Sequence, residues 1–438
     1  MHSIMNIDTE LLKELDLNEV HGRVRSAAGV FIRARIPRGK IGDLCYVHTE
    51  FGAIPARVVA IDSGDLVLMP YEEIQGTSVN AEVVLAPGGN TVTVGSDLLG
   101  RIINGIGVPI DGKGAVQGEK ITLLLYSKPP SPLRRKKISR ILPLGIKVID
   151  GFLTVAEGQR IGIFAGAGVG KSTLMGMISR KAKADVNVIA LVGERGREVR
   201  EFVEDTLGEE GLKRSVLVVA TSDESPLMKL NCAYLATSIA EYFRDRGKNV
   251  ILMMDSVTRF ARALRDLGLA SGEPPARQGF PPSVFTILPK LLERSGTGEI
   301  GSITAFYTVL MEGDDTTEPV SDEVKSILDG HIILSRDIAS RGIYPAVDIL
   351  HSVSRVMTLV ADREHLALAM KLKSLIANYE SKRDLVSVGM YNGGDRALDY
   401  VLENYQKITR FLSQGQNESI SFDDTLNMMK ELLDGYKD

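Results

Sequence analysis

Residues 160–173, RIGIFAGAGVGKST, decide the fold. The apolar run Arg160–Phe164 predicts a strand, glycines follow at once, and an amphipathic helical pattern begins after residue 170. Ala165–Thr173 matches the phosphate-binding pattern G-x-x-x-x-G-K-[S/T], with Ala165 standing where the pattern has its first glycine. Gly166, Ala167, Gly168, Val169 and Gly170 let backbone N–H groups wrap around an anion, and the helix that follows turns its positive end toward it. Lys171 offers a mobile positive charge to β- and γ-phosphates, and the Ser172 hydroxyl suits Mg2+. With Thr173 completing the run, this stretch predicts a site for ATP and Mg2+ in a strand-loop-helix setting.

The alternation continues downstream. NVIALVG (187–193), SVLVVAT (215–221) and VILMMD (250–255) read as strands, with helices from about 196 and over 227–246 between them. Such βα units predict a parallel sheet covered on both faces, with ligands beyond the carboxyl ends of its strands, over residues 141–358. Upstream, residues 21–95 are short β-rich runs such as VFIRARI and ARVVAID broken by Gly, Pro and Asp, which predicts a small β-barrel. Residues 96–140 hold the turn-prone LLGRIINGIGVPIDGKG and the Pro-rich basic SKPPSPLRRKK, read as linker and lead-in to the core. Arg134, Arg135, Lys136 and Lys137 are expected to be solvated there, an anionic partner being the alternative. Beyond 358 the pattern turns helical, as in EHLALAMKLKSLIANY and ALDYVLENYQKITRFL, so 359–438 is expected to be a helical C-terminal domain. At the other end, Leu11, Leu12, Leu15 and Leu17 predict an amphipathic helix within 1–20, packed on its own domain or docked on a partner.

Bulk properties narrow the function classes. The chain has 438 residues, 44% hydrophobic and 25% charged, the proportions of a folded multidomain protein. A net charge of −4 gives no broad positive field, so nucleic acid is not an expected partner. Cys45 and Cys232 are in no metal-ligand or disulfide pattern, which fits a reducing cytoplasmic setting. The N-terminus has no basic start followed by an apolar stretch, and nowhere do 18 apolar residues run together. Neither a cleaved signal nor a membrane span is expected.

Two acidic residues are candidates for the chemistry. Asp255 ends the apolar run 250–254 and would hold Mg2+, although an Asp before SVTRF also suits a helix cap. Glu194, just past the end of a strand, would orient and activate the attacking water. The other reading is a carboxylate placed favourably at a helix start.

GERGREVREF (193–202), ILMMDSVTRFARALRDLGLASGEPPARQGFPPSVF (251–285) and GSITAFYTVLMEGDD (301–315) closely resemble the ATPases of bacterial type III protein export, flagellar and injectisome. A more distant likeness, in LLGRIINGIGVPIDGKG, GAGVGKST and IYPAVDIL, is to the catalytic subunit of rotary ATP synthases. The resemblance implies a homohexameric ring with nucleotide sites between subunits, and it makes Glu194 the catalytic glutamate. Arg355, in SVSRVM, matches an arginine finger reaching a neighbour's γ-phosphate, a task that suits a permanently charged fork of donors. Tyr344, in IYP, matches an aromatic that stacks on adenine, an ordinary core tyrosine being the alternative. The family further implies a stator-like regulatory protein at the N-terminal segment and chaperone and export cargo at the C-terminal domain. It also implies export gate and stalk proteins, and a cytoplasmic ring peripheral to the inner face of the plasma membrane. RDLVSVGMY (383–391) looks more like the flagellar branch.

Three rivals remain at this stage. A rotary synthase subunit would carry an acidic loop where this chain has Gly389-Met390-Tyr391-Asn392-Gly393-Gly394-Asp395-Arg396. A Rho-like RNA-stimulated ring would offer stacking aromatics in a basic barrel, whereas residues 20–95 have chiefly Phe31, Tyr46, Phe51 and Tyr71 among mixed charges. A ring subunit that binds without hydrolysing has no need of Glu194.

Overall fold

The computed structural model describes residues 20–86, 91–118, 121–311 and 318–436, so the expected N-terminal helix lies outside the described residues. The chain divides into two compact units.

The first is built on six antiparallel strands that close into a barrel. In spatial order they are Val20–Ala28, Phe31–Arg35, Asp65–Pro70, Gly52–Asp62, Leu44–Thr49 and Glu82–Leu85, the last pairing back to the first. Alternation fills it: Ile32 and Ala34 point in from one strand, Cys45 and Val47 from another, while their neighbours face out. Cys45 is part of that filling. Burial pushes its thiol up to about 12, and it donates to the Ala56 carbonyl at 3.3 Å, so it is an inert packing residue.

The second unit contains a sheet whose main path runs Val347–Ser354, Gly330–Leu334, Arg160–Ala165, Ser302–Leu310, Asn249–Asp255, Val186–Glu194, Ser215–Thr221 and Ile102–Asn104. All neighbours on this path are parallel except the first pair. The interior strands Val186–Glu194 and Ser302–Leu310 are mostly apolar and buried along nearly their whole length, as expected when both faces are covered. Parallel register brings the ends of the Arg160–Ala165, Val186–Glu194 and Asn249–Asp255 strands to one side, with Leu191 beside Asp255 and Ala165 beside Leu310.

Two parts of the stretch read as connection are structural. Ile102–Asn104 is the edge strand of the sheet, Ile102 opposite Leu217, and Ile103 is buried. Three residues between Gly-rich turns are too few to show a period. Nor is the basic cluster simply solvated. Arg135 donates to the carbonyls of Ser295 and Glu293, with the Ser295 bond at 2.7 Å, while the backbone N–H of Lys136 donates to Gly298. Arg134 and Leu133 stay exposed.

After Ser354 the described residues form helices only: Met357–Val360, Arg363–Ser387, Arg396–Glu403, Tyr405–Leu412 and Phe422–Leu433. They do not make a separate core. Leu372, Leu375, Val401, Phe411 and Met429 join the same hydrophobic cluster as Ile163, Leu174 and Phe306 of the sheet domain. Short helix Lys147–Phe152 is the joint: Phe152 meets Phe411 edge-on at 5.9 Å, and His365 Nε2 lies 2.8 Å from the Gly151 carbonyl. Elsewhere in this unit, fully buried Arg294 makes a two-point ion pair with Glu241, at 2.9 and 2.6 Å.

Candidate active site

The loop Gly166–Gly170 connects the strand Arg160–Ala165 to helix Lys171–Lys181. Gly168 and Gly170 have φ of +79° and +93°, a left-handed backbone that only glycine adopts without strain. Val169 is buried beneath the loop, while Ala167, Gly168 and Ser172 face solvent. The chain thus presents bare backbone at the start of an 11-residue helix, with the Ser172 hydroxyl beside it.

Three charges meet below the loop. Lys171 Nζ pairs closely with Asp255 Oδ1 and lies 3.7 Å from Glu194 Oε1. Asp255 is free for this because Ser256 takes the capping role: its hydroxyl accepts from the Arg259 backbone N–H at 3.2 Å. Thr308, from the neighbouring strand, donates to Asp255 Oδ1 at 2.7 Å and fixes the carboxylate.

Glu194 is aimed by its predecessor. The register against Ser215–Thr221 slips between Val192 and Glu194, and Gly193 has φ of +70°, so the strand kinks where the carboxylate leaves it. Arg259 holds the kink, donating to the Gly193 carbonyl and lying 3.2 Å from Glu194 Oε2. The other oxygen, Oε1, is buried without a hydrogen-bond partner. Burial and then the Asp255 charge push Glu194 up to about 7, against the pull of Lys171 and Arg259. A carboxylate so placed has one oxygen anchored by Arg259 and one, beside Lys171, with hydrogen-bonding capacity unused.

Tyr344 is half-exposed, and its ring lies 3.7 Å from the Cβ that Gly170 lacks. It borders a cavity of about 490 Å³ lined also by Arg410, Ser413 and Gln414. Arg355 is elsewhere. Its backbone N–H donates to the Asp329 carbonyl, and Asp329 is bonded to Arg160 at the start of the strand that leads to the loop. That strand separates Arg355 from its own phosphate loop by about 17 Å, at ~3.3 Å per residue. Among the described residues the exposed guanidinium donates to the Lys325 carbonyl, at 3.3 Å.

Residues 145–354 match the model of the ATP synthase alpha/beta family, nucleotide-binding domain, and residues 361–431 match the T3SS EscN ATPase C-terminal domain. The chain is 47% identical to the flagellum-specific ATP synthase of Bacillus subtilis over 97% of both chains. It is 46% identical to the type 3 secretion system ATPase of Xanthomonas euvesicatoria over 98% of both. The chain belongs to the family of flagellar and type III secretion ATPases. Among solved structures, the assembled ATPase EscN from the enteropathogenic E. coli type III secretion system matches with a TM-score of 0.88 at 47% identity. That match covers 94% of this chain and all of the other. EscN in complex with its central stalk EscO matches with a TM-score of 0.87. Flagellar and secretion relatives match almost equally, so the flagellar lean rests on Arg383–Tyr391 alone.

For this export-family ATPase, the structure brings together Lys171, Glu194, Asp255 and Tyr344 around the loop 166–173 and leaves Arg355 apart. Sequence reading missed Arg259, Thr308 and Gln414. Arg259 was within reach, four residues beyond Asp255 on the next helix. Thr308 and Gln414 carried no signal, since their contacts span tens to hundreds of residues.

Proposed function

We propose that this chain hydrolyses Mg·ATP as one of identical subunits of a ring, and that hydrolysis energises export of proteins through a flagellar or injectisome type III apparatus. The observation that carries the shared-site reading is the position of Arg355, exposed and at the end of the sheet opposite its own phosphate loop. That position supports service to a neighbouring subunit, where its fixed charge would stabilise the transferring phosphoryl group.

The residues fit a divalent cation held with the nucleotide: a buried carboxylate at Asp255, a solvent-facing hydroxyl at Ser172 and phosphate oxygens for the remainder. When bound, magnesium neutralises charge on the phosphate oxygens. The chain's own groups do the rest. Backbone N–H groups of 166–173 and Lys171 hold the phosphates, Lys171 leaving Asp255 to do so. Glu194 Oε1 orients a water and accepts its proton, with Arg259 fixing the carboxylate's other oxygen. Tyr344 stacks on the base.

The EscN relative is described as assembled and as bound by a central stalk; we extend both to this chain, with a homohexamer as the ring. A stator-like protein at the N-terminal segment, chaperone and cargo at the helical domain, and an export gate complete the proposed partners. Chaperone release is the proposed use of turnover. No helix among the described residues is long and apolar enough to cross a membrane, and attachment to the inner face of the plasma membrane would be peripheral.

The test is ATP hydrolysis against protein concentration, with Glu194→Gln and Arg355→Ala proteins mixed. Turnover that rises steeply with concentration and partly returns on mixing the two inactive variants is expected. No return on mixing would remove the shared site.

A further inference from the structure

Gln414 lies between helices Tyr405–Leu412 and Phe422–Leu433 and is buried although polar. Its side-chain oxygen accepts from the Lys147 backbone N–H at 2.8 Å. Its amide nitrogen donates to the carbonyls of Gly145 at 2.7 Å and Glu418 at 2.8 Å. Its own backbone N–H donates to the Tyr344 carbonyl at 2.7 Å. One residue therefore joins the lead-in to helix Lys147–Phe152, the turn 414–418 and Tyr344.

The lead-in is pinned from its other side as well. The carboxylate of Asp150 accepts from the backbone N–H groups of Leu144, Gly145 and Ile146, at 2.9, 2.8 and 3.3 Å. Lys147 Nζ donates to the Arg410 carbonyl at 3.2 Å. Held between two fixed points, the Gln414 amide cannot rotate toward the cavity it borders. A primary amide has two donor and two acceptor positions, and both donors are taken. It offers no hydrogen to a ligand in the cavity.

We infer that Gln414 is a positioning residue for the base-binding half of the nucleotide site, through which the helical C-terminal domain sets the affinity for nucleotide without touching the phosphates. The inference rests on the reading of Tyr344 as the base-stacking residue. The phosphate half is built on the sheet, from residues 166–173, Glu194 and Asp255. The base half borrows its outer wall, Arg410 to Glu418, from the helical domain. Gln414 is the tie between the two: its side chain fixes the turn 414–418 against Gly145 and Lys147, and its main-chain N–H holds the Tyr344 carbonyl, so loosening the side chain lets the turn and Tyr344 shift together and leaves the charge cluster at Lys171 intact.

That separation gives a test a general loss of structure does not mimic. The chain contains no tryptophan, so Tyr344→Trp places a single indole at the cavity. Mg·ADP is expected to change the indole fluorescence and Mg·tripolyphosphate, which has no base, to leave it unchanged. In that background, Gln414→Ala removes three side-chain hydrogen bonds and should weaken ADP binding by about 10-fold, the equivalent of one to two of them transmitted to the base. In the otherwise wild-type protein the same substitution should raise KM for ATP by a similar factor, with kcat within about 3-fold and tripolyphosphate inhibition within about 2-fold on that ~10-fold scale. Gln414→Glu keeps the volume but cannot donate to Gly145 and Glu418, and should show the same split if the alanine variant does not fold. Equal weakening of ADP and tripolyphosphate, an unchanged KM, or unfolding of both variants would overturn the inference. An indole that ignores ADP with Gln414 intact would overturn the Tyr344 reading and the inference with it. An indole that responds equally with and without Gln414 would overturn the inference alone.

Discussion

Replacing Glu194 by glutamine should make the nucleotide-free protein more stable, and by an amount that depends on pH. Glu194 is raised from 4.5 to about 7 in the folded protein, chiefly by burial and then by Asp255. The native state therefore keeps a proton that the unfolded chain releases. The stability associated with the protonated carboxyl is fully present below pH 4.5 and is lost as pH rises toward 7, after which the loss is complete. A shift of this size corresponds to about 3 kcal/mol, a sizeable share of the 5–15 kcal/mol that holds a typical domain together. Glutamine has the same shape and does not ionise, so it escapes the loss. Urea unfolding without nucleotide, at pH 5 and pH 8, measures the difference. The variant's advantage is expected to be about 1 kcal/mol at pH 5 and about 3 kcal/mol at pH 8, while ATP turnover disappears at both. An advantage equal at the two pH values, or a variant weaker than wild type at pH 8, would refute a buried and strained carboxylate.

Three further outcomes follow from the geometry. Arg259→Ala frees the Gly193 kink and one oxygen of Glu194, so kcat should fall by about 10- to 100-fold, part of what a general base supplies. KM for ATP should change little, as steady-state kinetics would show. Gly193→Ala forces a side chain onto a φ of +70° with its Cβ 3.1 Å from Arg259, and a partial loss of kcat in the same assay is expected. Arg294→Met leaves Glu241 buried and unpaired in the second unit, at a cost of about 3–5 kcal/mol in urea unfolding and no direct effect on nucleotide binding.

The fold was legible where a period or a motif covers enough residues. The loop 165–173, the runs ending at Glu194 and Asp255 and the alternation within the barrel all repeat one physical instruction several times. Ile102–Asn104 carries too few residues to show one, and its strand character comes from the open edge of Ser215–Thr221 that it covers. The centre of the site was legible for the same reason that its supports were not. Lys171, Glu194 and Asp255 stand at strand ends or in a motif, where sequence position implies place. Arg259, Thr308 and Gln414 act through single polar contacts with residues brought near only by the folded chain, and Arg135 looked like its solvated neighbours Arg134 and Lys136.

That short edge strand bears on how the molecule can be divided. A chain shortened to begin at residue 141 would keep the phosphate loop and every charged group around it, but would uncover the outer edge of Ser215–Thr221 from Ser215 to Val219. Its main-chain donors and acceptors, flanked by Leu217, Val218 and Val219, would then be open to pairing with any extended segment, including the same strand in another copy. Such a fragment is expected to precipitate although its catalytic residues are complete, whereas one begun before residue 98 carries its own cover.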